Sequence, residues 1–329
     1  MTLPRDVAVT GANGFVGRSV CERLGASGWT VRGVVRTRTA TLSGAVRRVV
    51  VPNMVDADDL TRAFEGASAV VHLAARVHVM RDSDSNPAAA YRRDNVDMTR
   101  AVLQAATRAG VRRFVFLSSV KVMGEGNAVP WTEDDAPHPV DPYGVSKHEA
   151  EALVLRVTDG QRLEPVVLRA PLVYGPGVRA NMLQLFDLVD RGVPLPFGGI
   201  RNRRSLVYVG NLAAAVEAVL ESAAAPRQIF FVSDGEDVST PDLVRAIAAA
   251  LSRPTRLLAV PESAFRAAGV AGDLVSRVLP VPVNSAALQR LIGSLRVSNA
   301  KLRDRVGFEP PYSLEEGLRE TARWYRARA

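Results

Sequence analysis

The sequence predicts a doubly wound α/β fold, a parallel sheet with helices on both faces, followed by a smaller C-terminal α/β part. Three observations predict it. Short β-branched runs alternate with helix-length segments through the first half of the chain, the pattern of βαβ units. Those runs, such as Phe114-Val-Phe-Leu117, are apolar throughout instead of alternating, as parallel strands covered on both faces must be. A turn with three glycines, Gly11, Gly14 and Gly17, follows the first run directly and opens the first helical segment.

Taken in order, strands are expected at residues 7–10, 30–35, 46–51, 69–73, 114–118 and 166–169, each a Val-, Ala- or Phe-rich run bounded by polar or glycine residues. Helices are expected between them at 15–24, 57–65, 91–109 and 143–157. After residue 170 the texture changes to Pro/Gly-rich connections (Pro171, Gly175-Pro-Gly177, Pro194-Leu-Pro196, Gly198-Gly199) around helices at 182–190 and 212–221. Thr240-Pro241 starts a further helix, with a capping hydroxyl and a proline in its first turn. Ser313 with Glu316 caps the last one. The division expected is a dinucleotide-sized sheet domain at 1–170 and a ligand-binding part at 171–329, some of whose segments return to the sheet. In an open α/β protein the second part lies over the carboxyl ends of the strands, where ligands bind.

With 329 residues, 47% of them hydrophobic, the chain can bury one large core or two coupled ones. The single cysteine, Cys21, excludes an internal disulfide framework, and no Cys/His cluster has metal-site spacing. A reducing cytoplasm is the expected compartment, because the chain opens on a polar stretch with Arg5 and Asp6 and no apolar run approaches membrane-spanning length. The net charge of +8 invites a nucleic-acid partner. The arginines argue against it: they are scattered or paired (Arg92-Arg93, Arg112-Arg113, Arg203-Arg204), with no basic stripe interleaved with aromatics. Solvated surface charge, or a small anionic substrate, accounts for them.

The chemistry-bearing residues follow the strand order. Glycines at three-residue spacing let the backbone of Gly11-Ala-Asn13-Gly14 approach a pyrophosphate, and the helix start supplies amides and a positive dipole end, so the turn points to a dinucleotide. The second strand ends in Arg36 and Arg38, with no acid for the adenosine 2′-hydroxyl; arginine there accommodates a 2′-phosphate, which favours NADP over NAD. Ser118-Ser119 closes the fifth strand. Tyr143 and Lys147 are four apart on the helix that follows, on one face, and Lys147 is one of only three lysines among 42 Lys+Arg. A cation beside a phenol favours the phenolate, which makes a group with an ordinary pKa near ~10 usable as an acid or base closer to neutrality.

Together, Gly11-x-x-Gly14-x-x-Gly17, Val71-His-Leu-Ala-Ala75, Leu117-Ser-Ser119, Tyr143-x-x-x-Lys147 and Pro171-x-x-Tyr174-Gly-Pro resemble the extended short-chain dehydrogenase/reductases, in the nucleotide-sugar epimerase/dehydratase/reductase branch. The resemblance spans the whole chain and implies a Rossmann sheet with NAD or NADP bound. It implies Tyr143 as catalytic acid/base, Lys147 as the group that holds the nicotinamide ribose and lowers the phenol, and Ser119 as partner of the substrate oxygen. The cofactor contacts it implies are Gly11, Asn13, Gly14, Phe15, Val16, Gly17, Arg36, Arg38, Asn53, Met54, Leu73, Ala74, Ala75, Ser118, Lys147, Pro171 and Val173. Asn53 stands where the family places an acid near adenine. Asn95 looks like its structural asparagine.

For the substrate the resemblance implies Ser119, Val120, Lys121, Asn181, Phe197, Arg204 and Arg290, the last four near positions that hold a nucleotide diphosphate. Dehydratases of this branch carry an Asp-Glu pair after the catalytic Ser/Thr; Val120-Lys121 replaces it here, so dehydration is not expected. The stretches Ala75-Arg-Val-His78-Val-Met80 and Ser118-Ser-Val-Lys121-Val-Met-Gly124 look like bacterial 4-keto-6-deoxy-aminosugar reductases of surface-polysaccharide synthesis. The favoured expectation is therefore a 4-ketoreductase of a nucleotide-activated hexose. The alternatives are a 4-epimerase with retained NAD, and a non-catalytic NAD(P)-sensing regulator. Relatives commonly form homodimers through two helices per subunit, which here would be 91–109 and 143–157.

Overall fold

A computed structural model describes residues 4–42, 46–77, 86–156, 162–265, 267 and 292–328. The main sheet is built from β1 (Asp6–Thr10), β2 (Thr30–Val35), β3 (Arg47–Val50), β4 (Ala69–His72), β5 (Arg113–Ser119), β6 (Glu164–Ala170) and β9 (Gln228–Phe231). Its order is β3-β2-β1-β4-β5-β6-β9, and every pairing is parallel. The chain winds outward to β3 on one side of β1 and to β9 on the other, so the strand order reverses between β1 and β4 and their carboxyl ends open a crevice.

Both faces of the sheet are covered, which is why its strands are unbroken apolar runs: Val7, Ala8 and Val9 are fully buried. One layer holds α1 (Phe15–Ala26) and α7 (Val209–Glu221) against Val7, Val9, Val71 and Val166. The other holds α2 (Ala57–Phe64), α4 (Met98–Arg108) and α5 (Pro142–Leu155) against Ala8, Val34, Val70 and Phe116. α2 begins where Asp56 accepts the Asp58 and Asp59 amides, and it buries Leu60, Ala63 and Phe64 at helical spacing. α5 is started by Asp141 as N-cap and Pro142 at the first position.

The helix expected at 91–109 begins earlier, at α3 (Pro87–Tyr91) capped by Asn86, and runs through a π-type segment, Arg92–Asp97, before α4. The wide turn places the Asn95 side chain inward, where it pins the chain after β4 to α5.

β9 was absent from the expected strands. Ile229 and the buried Phe230 and Phe231 carry it, and it completes the sheet from well inside the C-terminal half. A second, three-stranded sheet consists of β7 (Leu172–Tyr174), β8 (Arg204–Tyr208) and β10 (Asp237–Val238) in the order β10-β8-β7. Around it pack α6 (Ala180–Asp190), α8 (Thr240–Ala250) and α10 (Leu314–Ala327), while α9 (Ala300–Val306) turns back against β9. Two buried arginines are paired within the core. Arg113 reaches Glu164 at 3.0 Å and the last carbonyls of α7, and Arg169 forms a bidentate pair with Glu151 at 3.0 and 2.7 Å.

Candidate active site

The crevice starts from Thr10 at the end of β1. Gly11 takes a left-handed φ of 71°, and a Cβ there would come within 2.8 Å of the Ala74 amide nitrogen. A Cβ on Gly17 would overlap the Gly11 carbonyl oxygen, so this glycine lets α1 close onto the turn. Gly14 is the N-cap of α1 and gives it no side-chain cap, which leaves the first amides, Phe15 and Val16 among them, directed at the crevice. A backbone cradle that any Cβ would fill, under an uncapped helix start, fits a dinucleotide pyrophosphate.

Around this cradle the expected cofactor residues divide. Asn13, Arg36 and Arg38 are exposed at the rim, the two arginines just beyond β2. Leu73, Ala74 and Ala75 are part-buried along the chain leaving β4. Asn53 is exposed and accepts the Val55 amide at 3.3 Å. Met54 packs its side chain into the core beside Val34 and Val51, where an apolar group gains more than at a wet rim. Pro171 is buried and Val173 part-buried, at the β6–β7 junction. Below the cradle His72 bridges Thr10 Oγ1 at 2.7 Å and Thr99 Oγ1 at 3.1 Å; burial, and then the Lys147 charge, push it down to about 3, so it is a neutral brace.

The structure brings Ser119, Tyr143 and Lys147 together. Ser119 ends β5 and Tyr143 lies in the first turn of α5, where the Ser119 hydroxyl is close enough to act on the phenol. Lys147, one turn on, is buried; its ammonium donates to the Leu117 carbonyl at 2.7 Å and lies 4.0 Å from the centre of the Phe116 ring. Burial pushes this lysine down to about 7, opposed by Glu151. The phenol departs from expectation. Burial, with Asp141 and Tyr91 adding to it, raises Tyr143 to about 12, and the Ser119 hydroxyl works the other way. Lys147 faces the strand instead of the hydroxyl, so the downward pull expected from it does not set the direction. Ser118 Oγ is buried with no hydrogen-bond partner among the described residues.

Three supports escaped the sequence reading. The Tyr91 ring lies 6.0 Å from Tyr143; Ser146 donates to the Tyr143 carbonyl and accepts from Asn95; and Asp141 caps α5 through the Gly144 amide at 2.7 Å. The Asp141-Pro142 step was a legible start signal for the last of these. Asn95 also holds the Arg76 backbone, through its amide at 2.8 Å and its carbonyl at 3.1 Å.

The substrate residues expected from the resemblance are only partly gathered. Val120 is buried, and Lys121 gives its ammonium to Glu125 and Asp141. Arg204, the first residue of β8, donates to the Gly293 carbonyl at 3.3 Å, with the Glu125 charge holding it against burial. Phe197 packs against the C-terminal core, 6.5 Å from Phe265, and Asn181 is exposed on α6. Arg290, like His78 and Met80, lies outside the described residues. Among the described residues, no group of three or more His, Cys, Asp and Glu could hold a metal ion, and no helix is long and apolar enough to cross a membrane.

Residues 7–232 match the model of the NAD dependent epimerase/dehydratase family. The chain belongs to this family. The expected enzyme class holds, and NAD(P) is the cofactor of the fold. A UDP-glucose 4-epimerase of Vibrio cholerae is 37% identical over 324 residues, 97% of this chain and 95% of the relative. An N-acetyl-α-D-glucosaminyl-diphospho-ditrans,octacis-undecaprenol 4-epimerase of Escherichia coli O157:H7 is 28% identical over 97% of this chain and 95% of its own length. Among solved structures, MoeE5 in complex with UDP-glucuronic acid and NAD superposes with a TM-score of 0.77 at 27% identity, over 98% of this chain and 100% of that one.

Proposed function

We propose that the protein exchanges hydride at C4 of a UDP-hexose, as a 4-epimerase. The observation that carries the reading is the meeting of Ser119 and Tyr143, with buried Lys147 one turn along the same helix. When bound, the dinucleotide supplies the hydride acceptor and donor. Tyr143, as the phenolate, takes the proton from the C4 hydroxyl as the C–H hydride leaves, and the phenol so formed returns it to the same oxygen when hydride comes back to the other face. Ser119 hydrogen-bonds that oxygen and the phenol together. Lys147 is held by Leu117 and Phe116 one turn further along α5. The relative from Vibrio cholerae and the UDP-sugar complex of MoeE5 support a UDP-hexose as substrate.

A second reading is favoured by one observation: Arg36 and Arg38 are exposed beyond β2, where they can meet a 2′-phosphate. It is a 4-ketoreductase consuming NADPH, with Tyr143 protonating the new C4 oxygen. Incubation with UDP-glucose or UDP-N-acetylglucosamine and NAD, with products resolved by proton NMR, separates the two. Epimer formation with no net change in nicotinamide absorbance supports the epimerase; NADPH consumption on a UDP-4-keto sugar with no epimer formed supports the reductase, and neither activity refutes both.

The wider reading is a cytoplasmic enzyme of polysaccharide-precursor synthesis, with residues 1–170 chiefly for the dinucleotide and 171–329 chiefly for the sugar nucleotide. It is a homodimer through α4 and α5, whose outer faces form an open groove of about 390 Å³ lined by Leu103, Leu153 and the arginines 100, 108 and 156. Sedimentation velocity tests the dimer.

A further inference from the structure

Lys121 is one of three lysines in the chain, and three of its groups are engaged with separate parts of the candidate site. Its amide donates to Ser119 Oγ at 3.2 Å. Its carbonyl lies under Gly144, where a Cβ would come within 2.5 Å of the oxygen. Its ammonium is 2.6 Å from Glu125 and 3.3 Å from Asp141 Oδ2, while the other Asp141 oxygen caps α5 by accepting the Gly144 amide. The Lys121 and Asp141 side chains are each only 19% exposed, so the pair is shielded from most of the solvent that weakens surface ion pairs.

Ser119 rides on β5 and Tyr143 on α5, joined by the long connection from 123 to 140. Their separation therefore depends on how the first turn of α5 docks on the end of β5, and Lys121 touches both. We propose that Lys121 is the positioning residue of this site: it clamps the N-cap of α5 to the end of β5 and compensates the Asp141 carboxylate beside Tyr143. The proposal rests on the reading of Tyr143 as acid/base.

The charged and titratable groups around the phenol are Ser119 from β5, Tyr91 from α3 with Arg76 stacked over it, Asp141 and Lys147 of α5 itself, and Lys121 with Glu125 from the turn after β5. Asp141 raises the phenol even with Lys121 beside it. Without the ammonium the carboxylate acts uncompensated, and the phenol rises further.

The test compares Lys121→Met, Lys121→Arg, Asp141→Asn and the Lys121→Met/Asp141→Asn pair. Asparagine keeps the cap and removes the charge. The readouts are kcat, KM and the pH profile of kcat/KM with UDP-glucose, together with titration of the Tyr143 ring carbon by NMR in the NAD-bound protein, assigned with Tyr143→Phe. Lys121→Met should lower kcat about tenfold with little change in KM, as misplaced reacting groups do. It should also move the Tyr143 midpoint up by about half a pH unit or more. Lys121→Arg should recover most of both effects, and Lys121→Met should shift the midpoint no further when Asp141 is already Asn.

An unmoved midpoint, a rise in KM alone, or a shift of equal size in the Asp141→Asn background would overturn the proposal. If Tyr143→Phe keeps its turnover, the acid/base reading fails instead; the NMR titration still decides the role of Lys121, whichever sugar the enzyme turns over.

Discussion

Removing Arg169 tests the core beneath the site. The guanidinium is bound to Glu151 through two hydrogen bonds, of 3.0 and 2.7 Å, and both side chains are 2% exposed. It also reaches Met123 Sδ at 3.2 Å and lies 5.6 Å from the centre of the Phe231 ring. Arg169→Met therefore leaves the Glu151 carboxylate buried without its bidentate partner, a change that typically costs about 3–5 kcal/mol. Against a total stability on the order of 5–15 kcal/mol, that is a large share. For a chain of this length it corresponds to a fall in Tm of about 5 °C. Replacing both partners, as Arg169→Met with Glu151→Leu, exchanges two desolvated charges for apolar contact and should cost less than about 2 kcal/mol. The single variant is then less stable than the double. Urea denaturation of the four proteins near neutral pH, followed by circular dichroism, measures the cycle. If Arg169→Met costs under about 1 kcal/mol, or the double variant is worse than either single one, the pair is not the buried brace described here.

Gly17→Ala should weaken NAD binding at least about tenfold by calorimetry and cost about 1–3 kcal/mol of stability, because the new methyl meets backbone atoms of Gly11 and Ala12 that cannot turn away. Tyr143→Phe should retain NAD binding and lose turnover by about a hundredfold or more, the size of a general acid/base contribution; full turnover would remove Tyr143 from the chemistry. His72 carries a folded pKa depressed from 6.5 to about 3, so the unfolded chain binds the extra proton between those values. Stability should fall as pH drops from 6.5 toward 3, and His72→Gln should flatten that part of a pH series of urea midpoints.

The sheet was legible where strands are buried on both faces: β1, β4 and β5 are runs of Val, Ala and Phe that no amphipathic helix would tolerate. β9 was not, because its four residues sit among Pro/Gly connections and owe their extended form to the open edge of β6. The two-residue β10 depends likewise on pairing with β8, a contact that local pattern does not encode. In the site, Ser119, Tyr143 and Lys147 could be found because strand end and helix face fix their spacing. Asn95 was named through the resemblance alone, and Tyr91 went unassigned, because the π-type segment that follows Tyr91 breaks the helical period used to assign faces. The direction of the Tyr143 pKa was missed for a similar reason: four-residue spacing places Lys147 on the same face as the phenol, whereas the Leu117 carbonyl and the Phe116 ring decide where its ammonium goes.

The place of β9 in the sheet bears on how the protein is made. β6 is finished at Ala170, yet its outer edge stays unpaired until Gln228–Phe231 has been synthesised. At ordinary ribosome speeds that interval is on the order of 3–10 s, during which an apolar parallel strand presents a free row of amides and carbonyls to any other extended chain. A version truncated after β6 would never close that edge. Its loss would be felt first as aggregation on the way out of the ribosome, before any question of what the missing half binds.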